Sequence, residues 1–502
     1  MTRALLDHPA VPALARPAAH RGTETNPSLV HARDRSAWIL LAILASAAML
    51  RLWGLTDWAF EEDELYTLRD AEGITRGFAT RTVYFFLQHL ILQVATPSPL
   101  SLRALPFAFG LLGVWMTWRL ARDVFGERAA PVAALLVALS PWHLYASQFA
   151  RYWTLVYLLA TVLYFFLFRA VRTDRAGDYG AALAACLLGA LVHPTLVFPF
   201  VGVAIAVPLL SPSGSWSPSW PTRRAWTFFW GPLALLGAGL TVAFLVTGLE
   251  ERLFNGHGRG LVATLRLVPA MIQWISPVVA VAGVVAMTAM LVSPASQGRQ
   301  WAALALAGCA ATVVLLLLAS MITNVYADYG MAMLPLLYVS IGGLVQSLGE
   351  HARQRSRAVL VGAIAVLTAA TIPGVASHLS DGSRFDYRPA YDFLKRNAGD
   401  AWVVGGPVAI QRHYAPGLRF QEIQPSAQFL EQALAVTSGF WYVGPVARYG
   451  IPKADTGMTA WLDGHCRTTL RTEGARFDYR RYLVEVKWCG GSAPDALAAR
   501  VP

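Results

Sequence analysis

The chain has 502 residues, of which 55% are hydrophobic and only 14% charged, and its mean hydropathy is +0.45. A soluble domain carries roughly 25% charged residues, so the composition excludes an ordinary water-soluble enzyme and points to a polytopic membrane protein. The net charge of +11 does not mark a nucleic-acid binder: the arginines sit at the ends of apolar runs, where they act as topology signals, and no basic helix carries the interleaved aromatics of a nucleic-acid face.

Residues 1–36 are rich in Ala, Pro and Arg and lack apolar periodicity, which reads as a disordered tail. The run that follows continues to Trp53. It reads as an uncleaved first helix, although Ala45-Ser46-Ala47 imitates a cleavage site. Apolar runs near the length needed to cross a bilayer fall at 37–53, 102–120, 129–147, 153–170, 180–193, 195–210, 226–247, 277–294, 301–321, 331–348 and 358–376, giving about eleven helices. With the N-terminus in the cytoplasm, the inside segments hold 17 arginines and the outside loops 8. That is the excess expected of short cytoplasmic loops. The count depends on splitting 180–210 at His193-Pro194 into two short helices. A single kinked span would reverse every later loop.

This orientation places outside an acidic loop near residue 60, the segment 248–276 and all of 377–502, which turns polar. In that last piece, Tyr391–Asn397 and Gln428–Val436 read as helices, and Ala401–Gly405 and the alternating Tyr482–Trp488 as strands. The expected fold class is therefore an all-α polytopic membrane protein plus a small C-terminal α/β extracytoplasmic domain. The expected division is 1–36 tail, 37–376 transmembrane domain and 377–502 extracytoplasmic domain. Cys466 and Cys489 lie together in the outside piece, and an oxidising compartment makes them a disulfide candidate. Cys186 and Cys309 sit inside apolar runs and read as packing residues. No Cys and His spacing suggests zinc.

Phe60-Glu-Glu-Asp-Glu-Leu-Tyr66 packs four carboxylates into seven residues of a chain that has only 30 Asp and Glu. Residues 60–71 can form an amphipathic helix on the membrane surface, with Phe60, Leu65 and Leu68 toward lipid. Its acids then point in several directions. They are either a solvated first turn favoured by the helix dipole or part of a site. Arg81, Arg103 and Arg151 lie at outer membrane edges. There they serve either bidentate phosphate binding or headgroup contact. Ser140–Tyr152 is an unusually polar and aromatic turn that gathers His143, Gln148, Arg151 and Tyr152 at one interface. No carboxylate lies deep in an apolar run, and no internal repeat is evident, which argues against a transporter or lipid flippase. A non-catalytic envelope scaffold is the other rival. A carboxylate beside an arginine at the outer leaflet suits transfer from a lipid-linked sugar phosphate: the carboxylate takes a proton from an acceptor hydroxyl and the arginine stabilises the departing phosphate.

At these residues the sequence resembles a known family. Trp58-Ala-Phe-Glu-Glu-Asp63-Glu64 looks like the Asp-Glu motif in the first outside loop of the type C glycosyltransferases. Ser140-Pro141 followed by Ser147-Gln148-Phe-Ala150-Arg151-Tyr152 looks like their S-P…S-Q-x-A-R-x-Y turn. The likeness is to glycosyltransferase family 39 and its bacterial kin, which include protein O-mannosyltransferases and the lipid A aminoarabinose transferases. The resemblance implies a polyprenyl-phosphate sugar as donor, with Asp63 as base and Glu64 as its neighbour. It also implies Arg151 near the donor phosphate and His193 lining the site, and Arg103 matches an arginine that opens the second span; from their positions at the outer edge, Arg81 is a further candidate for the phosphate, and Tyr84, Gln148 and Tyr152 for the lining. This chain departs from the family where Thr80-Arg81-Thr82-Val83-Tyr84 replaces a His-Pro-Pro run before a Tyr. It departs again where Phe149 replaces Glu and where Asp328-Tyr329 replaces an Arg before a Tyr.

The expectation is thus an inverting, metal-independent glycosyltransferase with no cofactor. It would sit multi-pass in the inner membrane, partnered by a polyprenyl-phosphate-linked sugar, an extracytoplasmic acceptor and the bilayer, and not by nucleic acid. The acidic run holding a divalent cation is the alternative. The segment 248–276, with Glu250, Glu251 and Arg266, is a candidate lid or an inert surface helix.

Overall fold

A computed structural model describes residues 27–73, 82–207, 221–247, 261–293, 296–322, 325–351, 354–421, 426–445, 456–475 and 481–491. Helices dominate the first three quarters of the chain. In order they begin α1 (Pro27–Leu52), α2 (Glu62–Glu72), α3 (Thr82–Leu92), α4 (Pro99–Phe125), α5 (Ala129–Ala138), α6 (Pro141–Ser147), α7 (Trp153–Thr173), α8 (Ala176–Val192) and α9 (Val197–Ala206).

Local chemistry sets the boundaries. At the start of α4, Ser98 Oγ accepts from Ser101 N, Ser101 Oγ accepts from Ser98 N, and Pro99 occupies the first turn, where a missing N–H costs nothing. Between α5 and α6, Ser140-Pro141 interrupts the ladder and the axis turns by 61°. At His193 the backbone is extended, with φ −161°, and a single turn Pro194–Leu196 leads into α9. Over its described residues, 180–207, this run is therefore two helices and not one kinked span.

Among the described residues, six helices are long and apolar enough to cross a membrane: Arg35–Leu52, Pro99–Phe125, Trp153–Thr173, Gln297–Ile322, Ala327–Gly349 and Ala358–Asp381. Counting α5 with α6, and Leu267–Ile275 with Pro277–Leu291 across a 94° bend, gives eight. The expected eleven is not reached, because an apolar run does not fix helix length. α8 (Ala176–Val192) and α9 (Val197–Ala206), which fall in the expected runs 180–193 and 195–210, have only 17 and 10 residues. The centre of the bundle is built where the alanine-rich α5 meets α4 and Leu334–His351, and where α4 packs in turn on α7, burying Val114, Ala133, Val156, Tyr157 and Leu336. Small side chains let these helices approach closely without a hydrophobic driving force from water.

The C-terminal quarter forms a five-stranded mixed sheet in the order β2-β1-β3-β5-β4, with β1 Val403–Val404, β2 Phe420–Gln421, β3 Gly439–Pro445, β4 Cys466–Ala475 and β5 Arg481–Gly490. β1 runs parallel to β2 and β3, while the β3–β5 and β5–β4 pairs are antiparallel. Helices Arg388–Asn397 and Ala427–Val436 cover it. Cys466 faces Cys489 across the β4–β5 ladder and is disulfide-bonded to it.

The apolar side of α2 does not face lipid, as the sequence suggests it should. Phe60 and Leu65 are buried in one cluster with Leu102, Ala150, Phe385, Tyr387, Trp441 and Val486, and Leu68 packs against it. Apolarity alone does not tell a lipid-facing stripe from one facing protein. Here the sheet's core supplies the partner. Trp58 marks the same junction. Its ring lies where a Cβ on Gly54 or Gly382 would sit, 2.4 and 2.5 Å away, and both glycines have positive φ, +65° and +76°. Only glycine satisfies both the turn and the close approach.

Candidate active site

The acidic helix separates its carboxylates by rotation. Successive residues on a helix point about 100° apart, so Asp63 and Glu64 leave α2 in different directions. Glu64 turns inward and is wholly buried. Its Oε1 accepts from Arg103 Nε at 2.8 Å and from Ala150 N at 2.9 Å. Its Oε2 accepts from Arg103 Nη2 at 2.9 Å, Arg384 Nη1 at 3.1 Å and Glu61 N at 3.1 Å. Burial of the Glu64 carboxyl pushes its pKa up, but the Arg103 and Arg384 guanidiniums and the Ala150 N–H outweigh this and hold it below the ordinary value.

That shift has a sign in stability. Because the folded pKa lies below the unfolded one, the contribution of Glu64 is fully present above the ordinary carboxylate value of 4.5 and is lost as pH falls below it. The thermal midpoint of the purified protein is expected to fall as the pH drops below 4.5, and much less in a Glu64→Gln variant. A midpoint with equal acid sensitivity in both proteins contradicts this account.

Arg103 spends every donor of its guanidinium on this arrangement. Besides Glu64, it bonds the carbonyls of Leu55 at 2.7 Å, Trp58 at 3.3 Å and Ala59 at 3.0 Å, and an arginine has five N–H groups in all. It is also fully buried. Arg103 therefore clamps the acidic loop and has no donor left for a phosphate, which corrects the expectation from sequence. Gln148 is corrected in the same way. It is fully buried; its Nε2 donates to the carbonyls of Arg51 at 2.8 Å and Trp53 at 2.9 Å, and its Oε1 meets His378 Nε2 at 2.6 Å. It ties the turn to the end of α1 and does not line a site.

Asp63 points the other way. Its side chain is 34% exposed and its Oδ1 lies 3.5 Å from Arg151 Nη2. Arg151 is nearly buried. It also donates from Nη1 to the Asp63 carbonyl and to Thr67 Oγ1, both at 3.3 Å, and its guanidinium lies 5.2 Å from the Tyr152 ring centre. Burial lowers the Arg151 pKa, but Asp63 and the nearby tyrosines more than reverse that, so the net shift is upward and it stays charged. Tyr152 stacks on His193 with ring centres 4.8 Å apart, and Trp153 and Tyr329 close the cluster at 4.9 and 5.2 Å from His193. Nδ1 of His193 pairs with Thr195 Oγ1 at 2.7 Å. Tyr84, fully buried, packs edge-on to Tyr152 at 6.1 Å, and its hydroxyl has no protein partner among the described residues. The structure thus gathers Asp63, Arg151, Tyr152, His193 and Tyr84. Arg81, Glu250 and Glu251 lie outside the described residues. Of the suggested lid, Leu267–Ile275 is built into the bundle, with Trp274 edge-on to Trp142 at 5.3 Å, while Arg266 is exposed.

Three supporting residues escape a reading of the sequence. Arg51 is fully buried and mends the α5–α6 break, donating to the carbonyls of Ala138 at 3.2 Å and Val137 at 3.5 Å, to Ser147 Oγ at 3.1 Å and to His143 Nδ1 at 2.8 Å. A signal existed, since Arg51 is the only charge in the run 37–53. Arg384 and His378 carry none. They follow the last apolar run in an ordinary polar stretch, and only folding brings them to Glu64 and Gln148. Among the described residues, no three His, Cys, Asp or Glu side chains cluster as a metal site would require.

Residues 82–236 match the family described as dolichyl-phosphate-mannose-protein mannosyltransferase. No curated protein matches the chain. Among solved structures, ArnT from Cupriavidus metallidurans in the apo state is 15% identical, covering 90% of this chain and 98% of that one, with a TM-score of 0.54. The same protein bound to undecaprenyl phosphate gives 15%, 90%, 98% and 0.52. An oligosaccharyltransferase from Archaeoglobus fulgidus, in complex with Zn and sulfate, is 13% identical over 86% of this chain and 71% of that one, at a TM-score of 0.47. At such identities the likeness to ArnT is one of fold. With the mannosyltransferase pattern across the residues that include the Ser140–Tyr152 turn, and the likeness to ArnT over nine-tenths of its length, this chain is a multi-pass membrane protein that shares the fold of ArnT.

Proposed function

We propose that the protein is a glycosyltransferase that moves a hexosyl or pentosyl group from a polyprenyl-phosphate donor to an extracytoplasmic hydroxyl acceptor, with inversion. The observation that carries this reading is the Asp63–Arg151 pair, a partly exposed carboxylate 3.5 Å from a nearly buried arginine. The family match over residues 82–236 supports the donor class, as does the undecaprenyl phosphate bound to ArnT. In the proposed step the acceptor oxygen attacks the anomeric carbon as Asp63 takes the hydroxyl proton. The bond from that carbon to the phosphate oxygen breaks, and polyprenyl phosphate leaves with its negative charge held by Arg151. His193, Tyr152 and Tyr84 line the sugar side. In the cell the chain sits in the inner membrane with its N-terminus in the cytoplasm. Residues 1–36 lie on the cytoplasmic side, with 27–36 the start of α1 and not the disordered stretch expected from sequence, 37–376 form the membrane domain and 377–502 the extracytoplasmic α/β domain. Acceptors of this class are proteins, lipids and surface glycans.

Native mass spectrometry tests the reading. Wild type and Asp63→Asn are purified with their co-purifying lipids. A polyprenyl-phosphate sugar retained on the variant supports the reading, and its mass defines the sugar. If neither form carries polyprenyl lipid and added undecaprenyl phosphate does not bind, the reading fails. Arginine takes the place of a metal in this scheme, so transfer is expected to survive a strong chelator unchanged. Loss of transfer on chelation, restored by a divalent cation, would assign the acidic run to metal binding instead.

A further inference from the structure

The buried charge cluster extends beyond α2. Arg384 lies just past the helix Ile372–Asp381, at the entry to the C-terminal sheet region, and its side chain is 1% exposed. Its Nε donates to the Gly382 carbonyl at 3.1 Å, which stiffens its own turn. Its Nη1 reaches Glu64 Oε2 at 3.1 Å and the Ala59 carbonyl at 3.2 Å, and its Nη2 reaches the Gln148 carbonyl at 3.2 Å. One guanidinium therefore bridges both segments of the proposed site. Ala59 and Glu64 bracket the entry into α2 that carries Asp63, and Gln148 lies three positions before Arg151. The guanidinium's planar fork of donors suits such a double attachment in a way that a lysine ammonium does not.

We infer that Arg384 is a positioning residue that fixes the separation of Asp63 and Arg151, so that the C-terminal region sets how well the membrane site holds a polyprenyl phosphate. The inference rests on the proposed function and deepens it. Glu64 already joins the two segments through Ala150 N. That bond aligns one edge of the turn only. The Gln148 side chain holds the other edge to α1 and His378, and the contact from Arg384 to the Gln148 carbonyl ties that edge to the acidic loop, so its loss lets the Arg151 end of the turn shift relative to Asp63. A buried network of this kind is expected to act as a unit, its members worth more together than singly.

The test uses the full-length purified protein in four forms: wild type, Arg384→Met, Arg384→Lys and Val443→Ala. Val443 is buried in the sheet core, and its side chain has no polar atom with which to join the hydrogen bonds at Glu64 and Gln148. Each form is titrated with undecaprenyl phosphate, and its thermal midpoint is recorded. The expected result is an affinity about tenfold weaker for Arg384→Met, the equivalent of one charge-assisted contact. Arg384→Lys, which keeps the charge but lacks the fork, lies between that variant and wild type. Val443→Ala keeps wild-type affinity despite a lowered midpoint, which separates positioning from stability. If Arg384→Met does not fold, Arg384→Lys carries the test, and wild-type affinity in it overturns the inference. Equal affinity in wild type and Arg384→Met also overturns it, while leaving the proposed function standing. Failure of the wild type to bind undecaprenyl phosphate removes both.

Discussion

Asp63→Asn is expected to lower the rate of sugar transfer by about 10²–10⁴-fold, the usual contribution of a positioned general base, while the protein still folds and binds donor. The amide matches the carboxylate in shape but cannot take the acceptor proton. The structural cost is small because the side chain is 34% exposed and its link to Arg151 is 3.5 Å long, and partly exposed pairs of this kind contribute about 0–1 kcal/mol. Transfer is measured in single turnover with the donor identified on the trapped variant, beside a binding titration and a thermal midpoint. The expected pattern is a collapsed rate with binding and midpoint near wild type. A rate within a few-fold of wild type excludes Asp63 as the base. A matching loss of all three assigns it to structure.

The neighbouring carboxylate is expected to behave in the opposite way. Glu64→Gln leaves Arg103 and Arg384 buried with no counter-charge at the position where both converge, Arg103 Nε at 2.8 Å and Arg384 Nη1 at 3.1 Å. Removing one member of such a buried pair costs about 3–5 kcal/mol, because the remaining charge stays desolvated. At roughly 2 °C per kcal/mol for a large domain, the thermal midpoint falls by about 6–10 °C. The glutamine amide also brings two donors against two donating guanidiniums, so the isosteric change does not restore the network. Expression level and midpoint in detergent report this outcome. An unchanged midpoint shows that the guanidiniums are hydrated and that the cluster is not the dry anchor its burial implies. One residue apart in the chain, the two acids thus divide chemistry from support. Asp63 affects rate, and Glu64 affects stability.

This division is not written in the four acids themselves. A helix turning about 100° per residue sends Asp63 and Glu64 to different faces, which the sequence implies. Which face becomes interior depends on where Arg103 and Arg384 arrive, 39 and 320 residues away in the chain. Charge pairing at that range has no local periodicity and leaves no pattern in the sequence. Arg103 illustrates the same gap. From its position at a membrane edge it reads as a phosphate ligand, yet the carbonyls of Leu55, Trp58 and Ala59 and the carboxylate of Glu64 take all its donors.

What the sequence determined by itself was whatever depends on composition and short-range chemistry. Low charge and long apolar runs made the chain a membrane protein, because hydrophobicity summed over a segment does not need a partner. His193-Pro194 marked a real break, because proline removes a backbone donor, whereas the run 129–147, read as one span, bends by 61° at Ser140-Pro141. The alternating Tyr482–Trp488 became β5, because a strand's two-residue period is local. Tertiary structure alone decided the rest. It turned Phe60 and Leu65 toward the sheet's core and away from lipid, since both environments reward the same apolar side chain. It spent Gln148 on Arg51, Trp53 and His378, and it joined Arg384 to both segments of the proposed site. In each of these cases the deciding term is a contact between distant segments, whose energy exists only once the chain has folded.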